Sequence, residues 1–463
     1  LQGINQPKII ITGIRGGSGK TILSLGLCIA LKRQGFRIVP FKKGPDYIDA
    51  AWLSCAANHP CFNLDQFLMT DEQIVRSFLT RSAGADLSLV EGNRGLFDGV
   101  DEKGSYSSAE LAKRLDLPVI LVMDVTKMTR TAAALALGCR LFDPEVEIKG
   151  VVLNNVAQAK HESVVRRSIE DATGMPVLGA IRRMKKDPLP MRHLGVTPAF
   201  EYDGAVNALN ELGRLIEDSV DVQAIKNIAE NSSPLSFKLA TSAQAIKPSG
   251  KVKIGVFRDR AFQFYYPENL EAIEKHGAEL VFIDSLRDTT LPDVDGLYIG
   301  GGFPETQAKE LSANLGMRNS VFEKIEAGLP CYAECGGLMY LGESIVWEGV
   351  SYPMAGVLGW EFEMQKRPVG HGYSAMKTVR ENCFHRLGRE ITGHEFHYSR
   401  PVLKNKARKG EFVCEVTRGF GFDGKQEGLV YKNVFGTYIH VHALGNIDWA
   451  TGFVEHVRMQ RMK

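Results

Sequence analysis

The chain has little that would tie it to a membrane, to nucleic acid or to an oxidising compartment. No apolar run reaches the roughly 20 residues that a membrane-spanning helix needs, and the first residues lack a charged-then-apolar leader pattern. Neither sign of charge dominates: 56 Lys and Arg against 54 Asp and Glu leave a formal net charge of +2. That balance disfavours a basic nucleic-acid arm and an acidic, chaperone-like surface. The eight cysteines show no CxxC pair and no regular framework. A reduced, cytoplasmic chain is therefore expected, with neither nucleic acid nor membrane as a partner. Repeats and low-complexity tracts are also missing.

What is present is organised twice over. A length of 463 residues leaves room for two domains or three, each with its own core. Short apolar runs open a first series at Lys8 to Thr12 and continue at Arg37 to Phe41, Leu87 to Val90, Val119 to Met123, Gly150 to Leu153 and Val177 to Gly179. A second series opens at Lys253 to Phe257 and continues at Glu279 to Ile283, Gly296 to Ile299 and Pro330 to Ala333. Apolar runs of this length, separated by helix-length amphipathic stretches, read as buried parallel strands. The expected class is α/β, with two doubly wound domains. Residues 1–230 form the first, 231–250 a polar linker ending Lys247-Pro248-Ser249-Gly250, and 251–463 the second. Beyond about residue 350 glycine and aromatics predominate, and alternating runs such as Glu411 to Val416 predict an antiparallel extension of the second sheet.

Gly13-Ile14-Arg15-Gly16-Gly17-Ser18-Gly19-Lys20-Thr21 lies between a strand-like and a helix-like run. Glycines there let backbone N–H groups point at phosphates, and the helix start adds its positive end. Gly13, Gly16, Gly17, Gly19 and Lys20 are candidate ATP contacts, and the Thr21 hydroxyl would ligate Mg²⁺. The first glycine falls one residue earlier than in the common pattern, so the loop is one residue long. Asn154, just after the run Gly150 to Leu153, is included as a further nucleotide contact. Asp46 and Asp49 follow one strand and Glu91 ends another, where carboxylates hold metal directly or through water. Asp46 and Glu91 join Thr21 as metal candidates. For Asp49, and for Asp98 beyond Glu91, a cap or turn role competes.

Cys335 follows Pro330 to Glu334 and precedes Gly336-Gly337. Strand, sharp turn and helix in that order are the nucleophile elbow, with a helix start expected to lower the thiol pKa. Backbone N–H groups near Gly301, Gly302 and Gly336 are candidates to bind the oxyanion and glutamine. The base must come from elsewhere, and His440 and His442 after a late strand are the best placed. Cys331 reads as core. A zinc site built from His385, His394, His397, His440 and His442 matches no standard spacing. A dinucleotide reading of the first loop fails, because no GxGxxG with a ribose-binding acid is present.

Taken together these blocks resemble the cobyrinic acid a,c-diamide synthase type over nearly the whole chain. The long loop is similar to the dethiobiotin synthase version. Gly44-Pro45-Asp46-Tyr47-Ile48-Asp49, Glu91-Gly92 with Gly95 to Gly99, and Arg192-His193-Leu194-Gly195 are family-like. So are Gly300 to Glu305, Ala333-Glu334-Cys335-Gly336-Gly337 and Gly393 to Ser399. The resemblance implies an N-terminal P-loop ATP-binding domain and a C-terminal, flavodoxin-like class I glutamine amidotransferase domain. It implies ATP-dependent phosphorylation of tetrapyrrole acetates a and c, with ammonia released from L-glutamine by Cys335 and His440 and passed internally. Asp49, Asp98, Arg192 and His193 are candidate substrate contacts, and a homodimer is a candidate assembly.

Departures from the family pattern bear on mechanism and substrate. Where most class I amidotransferases have His-x-Glu, this chain has His442, so a dyad with another group orienting His440 is expected. Ala333 stands where many relatives have glycine. Ala50-Ala51-Trp52-Leu53 after the Asp49 block, and the ending Tyr438 to Leu444, look more like siroheme-amidating relatives. A sirohydrochlorin-type ring is thus set ahead of cobyrinate, with nickel sirohydrochlorin a third substrate. A partitioning-type nucleotide switch is the distant alternative, and it would leave Cys335 without a task.

Overall fold

Ile9, Ile10 and Ile11 are consecutive and all fully buried, which requires a strand covered by helices on both faces. The computed structural model describes residues 6–185, 188–192, 195–235 and 251–462, so most of the expected linker lies outside the described residues. The chain divides into two compact units, the first ending at Ser242 and the second beginning at Ala243.

In the first unit β1 (Lys8–Gly13), β2 (Ile38–Lys43), β3 (Phe62–Leu64), β4 (Leu87–Glu91), β5 (Val119–Asp124), β6 (Ile148–Val156) and β7 (Val177–Arg182) form one sheet in the order β3-β2-β4-β1-β5-β6-β7. Every pairing in it is parallel. The carboxyl ends of β1, β2 and β4 therefore open on one edge, where ligands bind in such sheets. Two two-residue strands, β8 (Met191–Arg192) and β9 (Gly195–Val196), then pair antiparallel. The edge strand β3 was not expected; three residues are too few to show a period.

The second unit starts with β10 (Val252–Phe257), β11 (Ala278–Ile283), β12 (Gly296–Ile299) and β13 (Cys331–Glu334). Then come β14 (Ser344–Trp347), β15 (Val350–Pro353), β16 (Trp360–Met364), β17 (Gly370–Thr378), β18 (Glu390–His397) and β19 (Ser399–Leu403). The last are β20 (Glu411–Arg418), β21 (Gln426–Tyr431), β22 (Val434–Thr437) and β23 (His440–Val441). The main sheet runs β11-β10-β12-β13-β22-β21-β20-β17-β18-β23. Its first five strands are parallel and in flavodoxin order. The rest is the antiparallel extension that the alternating runs predicted. A separate four-stranded sheet, β15-β14-β16-β19, had no counterpart in the sequence reading. Tyr332 on β13 stacks on Phe435 of β22 with centroids 5.3 Å apart, so aromatic packing locks the strand that carries Cys335 at its end.

Candidate active sites

The loop after β1 is supported from below. Ser18 Oγ donates to the Arg15 carbonyl at 3.0 Å and accepts from Arg15 N at 3.3 Å, closing the turn. Gly19 enters the helix Lys20–Arg33 at φ 101°, and a Cβ there would lie 2.2 Å from Asn154 Nδ2. Only glycine fits. Asn154 donates to the Ser18 carbonyl at 2.9 Å, so it braces the loop from β6. Lys20 Nζ donates to the Arg94 carbonyl at 2.7 Å.

Beside the loop lies a buried ion cluster. Lys42 Nζ is 2.6 Å from Asp49 Oδ2 and 2.6 Å from Glu91 Oε1. The Thr21 hydroxyl donates to that same Glu91 oxygen at 3.1 Å. Asp46 Oδ1 accepts Asp49 N at 2.9 Å, which sets the start of the helix Ile48–Ala57. Burial alone would lower Lys42, but the carboxylates of Asp49, Glu91 and Asp46 hold it well above the usual lysine range. Burial pushes Glu91 up against the pull of Lys42, and burial with Asp49 pushes Asp46 up to about 6. Burial and then Lys42 lower Lys20. Lys42 thus lies between the carboxyl groups of Asp49 and Glu91, the kind of pairing that a buried charge requires. Asp98 takes the turn role: its Oδ2 accepts Gly95 N at 2.9 Å.

In the second unit Cys335 directly follows β13 at φ 47°, ψ −99°. Held strain of this kind is on the order of 1–3 kcal/mol and marks an elbow. Cys335 N donates to the Thr437 carbonyl at 2.7 Å, and the thiol faces the Phe396 carbonyl at 4.0 Å. A Cβ on Gly336 would lie 3.1 Å from Gly302 N. A Cβ on Gly301 would lie 2.4 Å from His440 Cε1. One glycine loop thus touches both the elbow and the imidazole. The expected lowering of the Cys335 thiol is overturned. Burial pushes it up, Glu305, Glu334 and Glu395 add to the rise, and only the Gly336 N–H opposes. The following helix, Gly336–Leu341, has six residues, too short to offset that burial.

His440 pairs in register with His394 across β23 and β18. Their rings stack with centroids 5.0 Å apart at 23°. His440 Nδ1 lies 3.4 Å from Glu334 Oε2, which the Tyr298 hydroxyl also reaches at 3.4 Å. His442 turns away: its Nε2 is 3.7 Å from Glu268 and burial pushes it down to about 3. Of the two candidate bases, His440 is the one beside the elbow.

Both halves match known families. Residues 9–196 match the CobQ/CobB/MinD/ParA nucleotide binding domain, and residues 253–447 the CobB/CobQ-like glutamine amidotransferase domain. A protein of Archaeoglobus fulgidus called cobyrinate a,c-diamide synthase is 42% identical over 452 residues, covering 97% of each chain. The chain belongs to the cobyrinate a,c-diamide synthase family. Proteins of that name from Magnetococcus marinus, 42% identical over 96% of each chain, and Methanosphaera stadtmanae, 38% identical over 97% of this chain and 98% of that one, are also similar. As a member of the cobyrinate a,c-diamide synthase family it is a ligase that forms amides with glutamine as donor.

Within this family frame, the fold brings Lys20, Thr21, Asp46, Asp49 and Glu91 together at one end of the first sheet, and Cys335, Gly301, Gly302, Gly336 and His440 at one end of the second. His193 lies outside the described residues, and of Arg192 only the backbone is described. Two participants were missed. Lys42 sat unnoticed in a strand, where Lys42-Lys43 reads like any basic pair. Glu334 was part of a quoted block without a role. Trp52 is buried and donates to the Thr197 carbonyl at 2.9 Å, and Ala50, Leu53, Val441 and Ala443 are buried too. Among the described residues no three or more His, Cys, Asp or Glu are arranged to hold a metal ion, and no helix is long and apolar enough to cross a membrane.

Proposed function

We propose that this protein amidates the a and c acetate carboxylates of a cobyrinate-type tetrapyrrole, using ATP, Mg²⁺ and L-glutamine. The reading is carried by one chain holding two half-sites, with relatives named cobyrinate a,c-diamide synthase matching across both of them. The backbone of Gly13, Gly16, Gly17 and Gly19 cradles the phosphates, and Lys20 exchanges the Arg94 carbonyl for a phosphate oxygen. Thr21, Glu91 and Asp46 offer the hard oxygen donors that Mg²⁺ prefers. Glu91 Oε2 is buried without a hydrogen-bond partner, which fits a donor set completed by a cation. Bound there, Mg²⁺ would neutralise phosphate charge. Lys42 offsets part of the carboxylate charge of Asp49 and Glu91 beside the loop. Phosphoryl transfer to a ring carboxylate gives an acyl phosphate, and ammonia displaces the phosphate.

In the second unit Cys335 attacks the glutamine carboxamide, and His440 takes the thiol proton and delivers it to the leaving ammonia. Gly336 and Gly302 N–H groups receive the oxyanion. Sequestered ammonia stays unprotonated and nucleophilic. A sirohydrochlorin-type ring is the second reading. It rests on Ala50 to Leu53 and on the ending Tyr438 to Leu444, where Trp52, Val441 and Ala443 are packing residues, so cobyrinate is favoured. The test is mass spectrometry of products after ATP, Mg²⁺ and glutamine with cobyrinic acid, siroheme and nickel sirohydrochlorin in parallel. Two successive amidations of one ring name the substrate. Glutaminase activity with no amidated ring would overturn the tetrapyrrole assignment.

A further inference from the structure

His440 is held by groups from two other strands and one loop. Gly301, just beyond β12, lies against its Cε1 edge, His394 of β18 covers one face, and Glu334 of β13 faces Nδ1. Glu334 is fully buried. Its Oε2 is 3.4 Å from His440 Nδ1 and 3.4 Å from the Tyr298 hydroxyl, and its Oε1 is 3.5 Å from Val441 N. A carboxylate so far from water is costly unless positive charge forms beside it. An imidazolium at His440 would supply that charge.

Chemistry at the elbow asks for the same thing. With a carboxylate on Nδ1, the proton of the neutral ring sits at Nδ1 and the Nε2 lone pair is free for the thiol. Class I amidotransferases usually draw that carboxylate from two residues past the histidine. Here that position is His442, which faces Glu268 instead. His394 is held far below its usual range by burial and by its histidine neighbours, so it stays neutral and does not compete for the charge.

We propose that Glu334, from the strand that delivers the nucleophile, is the positioning residue that orients His440 and stabilises its imidazolium. The inference rests on the glutaminase reading above. As sulfur bonds to the carboxamide carbon, the thiol proton passes to Nε2; the imidazolium returns it to the departing ammonia. Water then cleaves the thioester and releases glutamate. The role of Glu334 in this step runs through the ring, at His440 Nδ1.

The experiment measures three activities of Glu334→Gln: glutamine hydrolysis, its pH profile, and amidation driven by added ammonia. The expected result is a loss of glutaminase kcat on the order of 10²–10⁴-fold, as when a neutral amide replaces the orienting carboxylate of a triad. Glutamine KM should stay near wild type, the acid limb of the profile should move to lower pH, and ammonia-driven amidation should persist. In a His440→Ala background the substitution should cost nothing more. Wild-type kcat in Glu334→Gln, an equal loss with ammonia, or a full further loss in the His440→Ala background would each overturn it. If Glu334→Gln does not fold, Glu334→Asp is read instead. A lowered kcat at unchanged KM supports the assignment, and wild-type kcat overturns it. A wild-type enzyme without glutaminase activity would sink the underlying reading as well, which separates the two failures.

Discussion

Lys42 Nζ lies 2.6 Å from Glu91 Oε1, the oxygen that also accepts the Thr21 hydroxyl. A single carboxylate oxygen thereby ties β2, β4 and the first turn of the helix after the glycine loop. The arrangement follows from the parallel register, in which Lys42 and Glu91 are direct neighbours across β2 and β4. Both side chains emerge at the same sheet edge as the loop. The cluster is therefore a consequence of topology.

Lys42→Met should leave the buried Glu91 without its cation, beside the partly exposed Asp49. Breaking a buried ion pair from one side costs about 3–5 kcal/mol, read as a lowered denaturation midpoint of the first unit. Amidation driven by ATP and ammonia should fall by at least about 10²-fold, the scale of a lost transition-state charge contact, while glutamine hydrolysis survives. Persistence of ammonia-driven amidation would make Lys42 scaffold alone.

Glu427 on β21 gives stability a pH dependence with a definite sign. Burial, with Glu395 adding, pushes its carboxyl up to about 8 against the pull of the Gly428 and Tyr438 N–H groups. The folded chain holds a proton that the unfolded chain releases above its ordinary 4.5. The contribution is full below that value and is lost as pH rises through about 8. Glu427→Gln keeps an acceptor and removes the charge. Its Tm should gain on wild type by about 2–4 °C for each kcal/mol regained between pH 5 and pH 8.5. A constant Tm difference across that range would show that Glu427 is ionised in the fold.

Much of this was legible beforehand. The apolar runs marked every strand of the first sheet except the three-residue β3, because parallel strands buried on both faces cannot be written without Val, Ile and Leu. The glycine loop and the Cys335 turn were readable because their backbone shapes demand particular residues. Lys42 was not, since a buried lysine is spelled like an exposed one until its partners are in place. Glu334 meets His440 across 106 residues of sequence, a relation no local window contains. The thiol shift failed for the same reason: burial by the rest of the fold raises Cys335 first, and Glu305 and Glu395 add to it from other parts of the chain. The block Ala50 to Leu53 points by resemblance to a sirohydrochlorin-type ring, and within it Trp52 is buried, since a bulky residue in a helix is spelled the same in a core as at a site.

Cys335 should be a slow thiol in the absence of glutamine. It is buried and pushed above the ordinary thiol range, whereas Cys383 is exposed. Iodoacetamide at neutral pH should therefore alkylate Cys383 first, with peptide mass spectrometry following both sites over time, since the thiolate is the reacting form. Faster labelling of Cys335 than of Cys383 would mean that His440 already holds the sulfur as thiolate before substrate arrives.

Gly301→Ala tests whether the glycine loop sets the imidazole. The added Cβ would stand 2.4 Å from His440 Cε1, closer than packed atoms approach, and the ring is 1% exposed with His394 stacked on it. The ring has no slack, so it must tilt away from Glu334 or the loop must shift. Overpacking of this kind costs about 1–3 kcal/mol, which a domain of this size tolerates while remaining folded. Glutaminase kcat should drop by about 10²-fold, the scale set by an ångström of misplacement in a catalytic group. Amidation from added ammonia should hold near its wild-type rate, because that route bypasses the thiol. A variant with full glutaminase activity would mean that the loop can retreat without disturbing His440, and the oxyanion role of the adjoining Gly302 would then have to be carried by Gly336 alone.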